Sequence, residues 1–362
     1  MQTWLTAMPE GMLLKSDGFA SNLSAPLPGS TLEEFCAERK LPYHPTHIPV
    51  PLETFGEYGL EFQRRFVPQL EPTAVAAVTR DPSGYRVTLA DGDELEALHV
   101  VVAVGITHFA YVPRAFETLP SSLASHSSDH RELGRFAGRD VTVVGAGASA
   151  VELAVGLANA GAKPRMVVRS GSVKFASPPP AKPRSFFERL RHPSSGLGPG
   201  VRSRLCCELP DLFRLLPGGF RGDVVRRHLG PASAWHLQNA FESSVEVLPG
   251  HRIDSTAPLN GHLRIDVSDG ETASTIETDH AICATGYRAE VRRLTFLDES
   301  LRREIRTVND APALDTGFES SVPGLFFAGL AGAMSFGPLM RFVYGAEFTA
   351  GRITGRLAKS GA

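Results

Sequence analysis

The sequence predicts an α/β protein with two Rossmann-like, three-layer units, and three observations predict it. The stretch Val141 to Val155 reads VTVVGAGASAVELAV: an apolar, β-branched run, a glycine turn, and at once a helix-forming run. A second pattern occurs twice, in YRVTLADGDELEALHVVVAVG (Tyr85 to Gly105) and LRIDVSDGETASTIETDHAICATG (Leu263 to Gly286). Each copy is a strand, an Asp-Gly turn, a second strand, then an apolar strand ending in glycine. The third observation is that both closing strands are continuous apolar runs, as strands buried on both faces are.

The elements follow in chain order. Residues 1 to 30 read as irregular, punctuated by Gly11, Gly18, Pro26, Pro28 and Gly29. A helix is predicted from Thr31 to Arg39, with Ser30 or Thr31 as N-cap and acids in its first turn. Pro42, Pro45, Pro49 and Pro51 make an extended loop, and a helix over Leu52 to Phe66 stops before Pro68. Strands follow at Ala74 to Thr79, Tyr85 to Ala90, Glu94 to Ala97 and His99 to Val104. Ser121 to Gly138 reads as a polar linker carrying His126 and His130.

The glycine-turn unit then opens, with a helix from Ala148 to Ala160 and its second strand at Pro164 to Arg169. Ser177 to Gly200 is rich in Pro, Gly, Arg and Ser and reads as a surface loop. Residues 201 to 242 read as helical, broken at Pro210 and at Pro217-Gly218-Gly219. Strands return at Val245 to Leu248, Leu263 to Val267, Ser274 to Glu277 and Ala281 to Ala284. A buried strand at Leu325 to Ala328 ends at Gly329, and a helix runs from Pro338 or Leu339 to Leu357.

The glycine turn carries the chemistry. Gly145 permits the turn, Gly147 lets backbone approach a diphosphate, and Ala150 lets the helix pack close to the strand. The N–H groups of Ala146, Gly147 and Ser149 open a helix whose dipole faces the anion. The strand–turn–helix context makes this a dinucleotide site rather than an ordinary turn. An acid that would accept the ribose 2′-OH should lie about twenty residues on. Ala160 to Ala176 contains no Asp or Glu but has Lys163, Arg165, Arg169 and Lys174. Arg169, with Ser170 beside it, is therefore expected to bind a 2′-phosphate, which favours NADPH. Thr285, Gly286 and Gly329 end buried strands where backbone can back onto cofactor.

Composition bounds the rest. The 362 residues suggest two domains, and a net charge of −2 implies no nucleic-acid or anionic-membrane partner. The N-terminus has no basic start or apolar stretch of a secretory signal. Four cysteines (Cys36, Cys206, Cys207, Cys283) without C-x-x-C suggest a cytoplasmic protein that is not a dithiol reductase. No His/Cys cluster has metal spacing.

These features resemble the two-dinucleotide-domain flavoprotein oxidoreductases. More closely, they look like the flavin-containing and N-hydroxylating (lysine/ornithine type) monooxygenases. The resemblance rests on VVGAGASAVELA (Val143 to Ala154), Ala284-Thr285-Gly286-Tyr287, VPGLFFAGL (Val322 to Leu330) and the His126 linker. It implies an NADPH domain inserted into an FAD domain: residues 1–130 and 289–362 for FAD, residues 131–288 for NADPH. It implies FAD and NADP as cofactors. NADPH would reduce the flavin, and a flavin peroxide would oxygenate a small nucleophile such as an amine, sulfide or ketone. The implied partners are that small molecule and O2, and a homo-oligomer is compatible with it. An early-loop Asn is implied as the catalytic residue, and Asn22 in FASNLSAP is its match; the residues alone favour Asn22 as a turn former.

The sequence departs from the pattern as well. Residues 1 to 70 contain no G-x-G-x-x-G or G-x-G-x-x-A, so the first unit is expected to lack its front βαβ piece, either as a true truncation or because Met1 is internal. Ser122 and His130 replace a Gly and an aromatic of the linker pattern, Val104 stands where Ala or Thr is common, and Leu330 where an acid often follows the glycine. Two alternatives stay open: a flavin reductase or dehydrogenase that inserts no oxygen, and an inactive NADPH-binding remnant.

Overall fold

The computed structural model describes residues 1–178, 185–228, 230 and 232–360. The first unit opens with α1 (Gln2–Thr6), α2 (Leu32–Arg39) and α3 (Leu52–Phe66). It continues with strands β1 (Val75–Asp81), β2 (Gly84–Leu89), β3 (Glu94–Ala97) and β4 (Val100–Val102). The middle of the chain holds β5 (Ala124–His126), β6 (Asp140–Val144), α4 (Ala148–Asn159), β7 (Lys163–Val168) and β8 (Lys174–Phe175). A helical stretch follows: α5 (Phe186–Arg191), α6 (Val201–Glu208), α7 (Pro210–Phe213) and α8 (Gly218–Arg227), then β9 (Ala232–Ser233) and α9 (Gln238–Ser244). Strands resume as β10 (Glu246–Pro249), β11 (Arg252–Leu259), β12 (His262–Ser268), β13 (Ala273–Thr278) and β14 (His280–Cys283). The chain closes through α10 (Glu299–Glu304), β15 (Thr307–Val308), β16 (Ala311–Pro312), β17 (Leu325–Phe327), α11 (Ala333–Phe336) and α12 (Ala346–Ser360).

Local chemistry explains the early helices. Thr31 Oγ1 accepts from Glu34 N while Glu34 Oε2 accepts from Thr31 N, so both orphan donors of the α2 start are satisfied reciprocally. Helix α3 buries Leu52, Phe55, Gly56 and Gly59 at helical spacing and ends two residues before Pro68. Leu52, Phe55 and Tyr58 form a separate N-terminal core with Phe35.

The middle sheet runs β10-β7-β6-β14-β5, with every neighbouring pair parallel. All four residues of β14 are buried, as a central parallel strand covered on both faces requires. Helix α4 packs Val151, Leu153, Ala154 and Leu157 onto this sheet.

The sequence repeat is a structural repeat. Strands β1-β2-β3 and β11-β12-β13 are both antiparallel three-stranded sheets. Each carries a register shift near the start of its first strand, between Val75 and Ala77 and between Ile253 and Ser255. After each sheet comes a parallel strand with a parallel neighbour: β14 beside β5, and β4 beside β17. The correspondence stops there. Strand β14 also pairs with β6, whereas β4 pairs only with β17 among the described residues. Thus Val100–Val102 finds its partner in Leu325–Phe327, with the whole five-stranded sheet lying between them in sequence.

Six expectations need correction. The surface loop read over Ser177 to Gly200 holds helix α5, started by a capping box of Ser185 and Glu188. The linker read over Ser121 to Gly138 contains the edge strand β5, made by three residues too few to show a pattern. Residues 1 to 30 include α1, held by the N-terminal backbone turn Ala7 N to Thr3 O. Strand β11 went unpredicted because it is half polar and mostly exposed. The helical reading of 201 to 242 is interrupted by β9, which pairs with β8. The last helix starts at Ala346, not at Pro338: Gly337 sits at φ +88° and Phe342 is extended, so only two short 3-10 turns precede it. Residues 179–184 of the predicted surface loop, and 229 and 231 of the predicted helical stretch, lie outside the described residues.

Candidate functional site

Strand β6 delivers a fully buried Val141–Val144 run to Gly145. Gly145 takes φ +137°, and a Cβ there would stand 2.4 Å from the Ala284 carbonyl oxygen. Both conformation and space therefore demand glycine. The turn is fixed from both sides, since Gly145 N donates to Val167 O and Ala284 N to Val144 O. Gly147 is the N-cap of α4 and no side chain caps that end. Ala146 and Gly147 are half-buried, Ser149 is exposed in the first turn, and Ala150 is fully buried beneath them. The result is an uncapped twelve-residue helix N-terminus at the end of a parallel strand, a cradle for a diphosphate.

Arg169 and Ser170 follow β7 and are both exposed. Arg165 is engaged by Glu246, with Nε 2.8 Å from the carboxylate. Arg169 makes no ion pair or hydrogen bond among the described residues, so its guanidinium is open to solvent. Ser170 Oγ donates to Ser172 O, which shapes the loop after the strand.

Thr285 and Gly286 sit where the chain crosses between the two units. Thr285 Oγ1 donates to Tyr111 O, Tyr111 N donates to Gly286 O, and Arg288 N donates to Phe109 O. The Arg288 guanidinium lies 3.3 Å from the centre of the Tyr111 ring. Thr285 is thus committed to the crossing. Gly286 is there for its φ of +77°, since a Cβ would meet nothing within 4 Å. His126 joins the same knot: its Nε2–H donates to Gly286 O and its Nδ1 accepts from Ser128. Burial holds His126 below the usual imidazole range, so it is neutral here.

His130 belongs to a different chain of bonds. His280 Nδ1–H donates to Ser122 O, so its Nε2 accepts from Ser125 Oγ. Ser125 Oγ accepts in turn from His130 Nε2–H, and His130 Nδ1 accepts from Arg135. Burial first, and then the Arg135 charge, push His130 down to about 3. The run only works with both imidazoles neutral, which suits a brace between linker and sheet.

On the other side, Gly329 is exposed at φ +66° just past β17, and Gly105 at φ +68° follows β4. Both lie at the C-terminal ends of parallel strands, where ligands of open α/β sheets bind. Gly329 opens a 3-10 turn and then the four-residue α11, a helix too short to carry a dipole. Asn22 is half-buried with both ends of its amide in use: Nδ2 donates to Phe19 O and Oδ1 accepts from Leu32 N at the start of α2.

Three residues the sequence did not single out complete the setting. Glu152, in the second turn of α4, is pushed up to about 7 by burial, partly offset by the Lys15 charge. Lys15 is lowered by burial against the opposing pull of Glu152, with Arg341 also acting on it. The acid in VELA was visible in the sequence, but its burial and its partner Lys15, from the N-terminal segment, were not.

The comparisons fit this geometry. The family described as "Pyridine nucleotide-disulphide oxidoreductase" matches residues 60–183, which include the glycine turn. A probable indole-3-pyruvate monooxygenase of Arabidopsis thaliana is 33% identical over 291 residues, 74% of this chain. The chain spans 65% of that relative's length, just under two thirds. An ornithine hydroxylase of Pseudomonas aeruginosa aligns over 99% of this chain and 89% of its own, with a TM-score of 0.76 at 15% identity. A cadaverine monooxygenase of Erwinia amylovora, solved bound to FAD, aligns over 98% and 86% with a TM-score of 0.71 at 17% identity. The chain is similar to flavin-dependent monooxygenases in sequence and has their two-domain fold.

Proposed function

We propose that this chain is an NADPH- and FAD-dependent monooxygenase of the cytoplasm, acting on a small nucleophilic substrate, an amine, sulfide or ketone. The observation that carries the reading is the β6–Gly145–α4 turn with an unpaired Arg169 at the end of the next strand. Gly145 and Gly147 leave room for the NADPH diphosphate, the first N–H groups of α4 bind it, and Arg169 with Ser170 receives the 2′-phosphate. The crossing at Thr285 and Gly286 holds the two units in register so that a nicotinamide can reach a flavin. FAD, when bound, supplies hydride acceptance and oxygen activation. The ends of β4 and β17, at Gly105 and Gly329, are the surfaces this chain offers it. The similar proteins named above act on an indole keto acid, ornithine and cadaverine, which supports a small ketone or amine as substrate.

A second reading, an NADPH-binding module without flavin, is favoured by one observation. Among the described residues β4 has one neighbour, and no second strand–glycine turn–helix stands beside it. Separate titrations decide between the two. With added FAD, the monooxygenase reading expects saturable flavin binding and NADPH-dependent transfer of oxygen to product. NADPH binding with no flavin uptake leaves only the module. For Arg169→Ala, the loss of charged hydrogen bonds worth about 1.5–3 kcal/mol raises the NADPH Kd roughly ten- to hundredfold and leaves NADH within about twofold. Equal weakening of both nucleotides overturns the assignment of Arg169.

A further inference from the structure

Helices α6, α7 and α8 enclose a groove of about 530 Å³. Its walls are Leu205, Leu209, Leu212, Phe213, Phe220 and Val224. Leu212 and Phe220 stay 53% and 55% exposed, so the groove is apolar yet open. Arg202, Arg227 and His228 stand at its rim with Asp223.

We propose that this groove binds a small amphipathic anion, an apolar body carrying one carboxylate or sulfonate head, with Arg202 and Arg227 receiving the head. Charge bookkeeping around the groove supports it. Glu208 is paired by Arg204, Asp223 by Arg226 and Asp211 by Arg352. Arg221 donates to Met334 O. Arg202 and Arg227 alone among these arginines make no ion pair or hydrogen bond among the described residues. Each of these acids is thus paired with another arginine; the Arg227 charge reaches Asp223 without an ion pair, and Arg202 and Arg227 keep their hydrogen-bond donors at the groove. Beside them, His228 Nε2 is buried without a hydrogen-bond partner. Such an atom costs free energy unless a ligand meets it. Burial and the Arg202 charge hold this imidazole below its ordinary range, so Nε2 is available as a neutral partner.

The groove's volume and lining suit a single small molecule better than a flat surface would. Its floor is also tied to the rest of the molecule. Arg341 Nη1 donates to Val225 O and His228 O at the end of α8, and a Cβ on Gly337 would stand 3.2 Å from the Phe213 ring. The groove is thus built on the segment that follows Gly329. The inference concerns binding only and holds whether or not the chain turns over a substrate.

The test uses two fluorescent probes of matched apolar bulk on the full chain. One is 8-anilinonaphthalene-1-sulfonate, which is anionic, and the other is the neutral N-phenyl-1-naphthylamine. Dodecanoate and dodecanol serve as competitors. Saturable single-site binding of the anionic probe is expected, displaced by dodecanoate in preference to dodecanol. The double variant Arg202→Gln/Arg227→Gln weakens the anionic probe about tenfold or more and leaves the neutral probe within about twofold. Arg202→Lys/Arg227→Lys restores most of the affinity, which separates charge from misfolding. Equal binding of both probes, or no effect of the double variant, overturns the proposal. So does probe displacement by self-association at higher protein concentration, which would make a second copy the occupant. Displacement by phosphatidylglycerol vesicles but not by dodecanoate would make a lipid surface the occupant and overturn it likewise.

Discussion

Asn22 shows how one side chain can be claimed by two roles. Its amide spans Phe19 O and Leu32 N, and Leu32 is the first residue of α2. The Leu32 N–H is one of the orphan donors of that helix start. For Asn22→Ala we expect a loss of about 1 kcal/mol of stability, read by urea denaturation, as for other cap-like hydrogen bonds. An unchanged denaturation midpoint with a fall in the coupling of NADPH oxidation to product would instead make Asn22 a catalytic residue. Gly145 is simpler. Gly145→Ala must place its Cβ against Ala284 O from a φ that L residues rarely adopt. Shifting that carbonyl moves the crossing at Thr285, so both NADPH affinity and thermal midpoint are expected to drop, measured by titration and by calorimetry. A variant with normal affinity and midpoint would show that the turn is looser than its geometry.

Helix α4 links the cofactor cradle to the titration behaviour of the protein. Glu152 holds its proton up to about pH 7 in the folded chain, against 4.5 as its ordinary value. Between those values the folded state binds a proton that the unfolded state has released. Stability from this group is therefore full below pH 4.5 and is lost as pH rises through 7. His130 acts in the opposite sense. With its proton lost near 3 rather than 6.5, it adds stability that is present above pH 6.5 and lost as pH falls toward 3. The two windows overlap, so Glu152 is isolated by comparison with Glu152→Gln at each pH. The variant is expected to gain on the parent steadily from pH 4.5 to 7 in thermal midpoint. A constant difference across that range would mean that Glu152 is solvated.

At the scale of the molecule, β17 decides how the two ends of the chain belong together. Leu325, Phe326 and Phe327 are fully buried, and they pair with Val100, Val101 and Val102. They sit in the largest core, with Phe318, Phe336 and Leu339. Phe327→Ala is expected to cost about 3–5 kcal/mol from lost burial and the cavity left behind. Because the middle sheet has its own cores, NADPH binding is expected to survive while the chain becomes easier to unfold. Denaturant titration and NADPH titration on the same variant check this. Loss of both together would mean that the units fold as one.

The sequence by itself determined what local chemistry controls. A β-branched run before two glycines has few conformations to choose from, so β6, the Gly145 turn and α4 were legible, as were the N-cap of α2 and the repeated Asp-Gly hairpins. A basic residue without a ribose-binding acid after β7 is a property of residue type and spacing, and it is what the proposed role of Arg169 rests on. Tertiary structure decided what depends on distant neighbours. The three residues of β5 become a strand only because β14 offers a parallel edge. Glu152 looks like any helix acid until the fold buries it beside Lys15. The groove of α6 to α8 was invisible because a helical reading of 201 to 242 does not say which leucines the fold leaves uncovered. Local conformational preference is written residue by residue, whereas burial and pairing are properties of chain segments brought together from far apart.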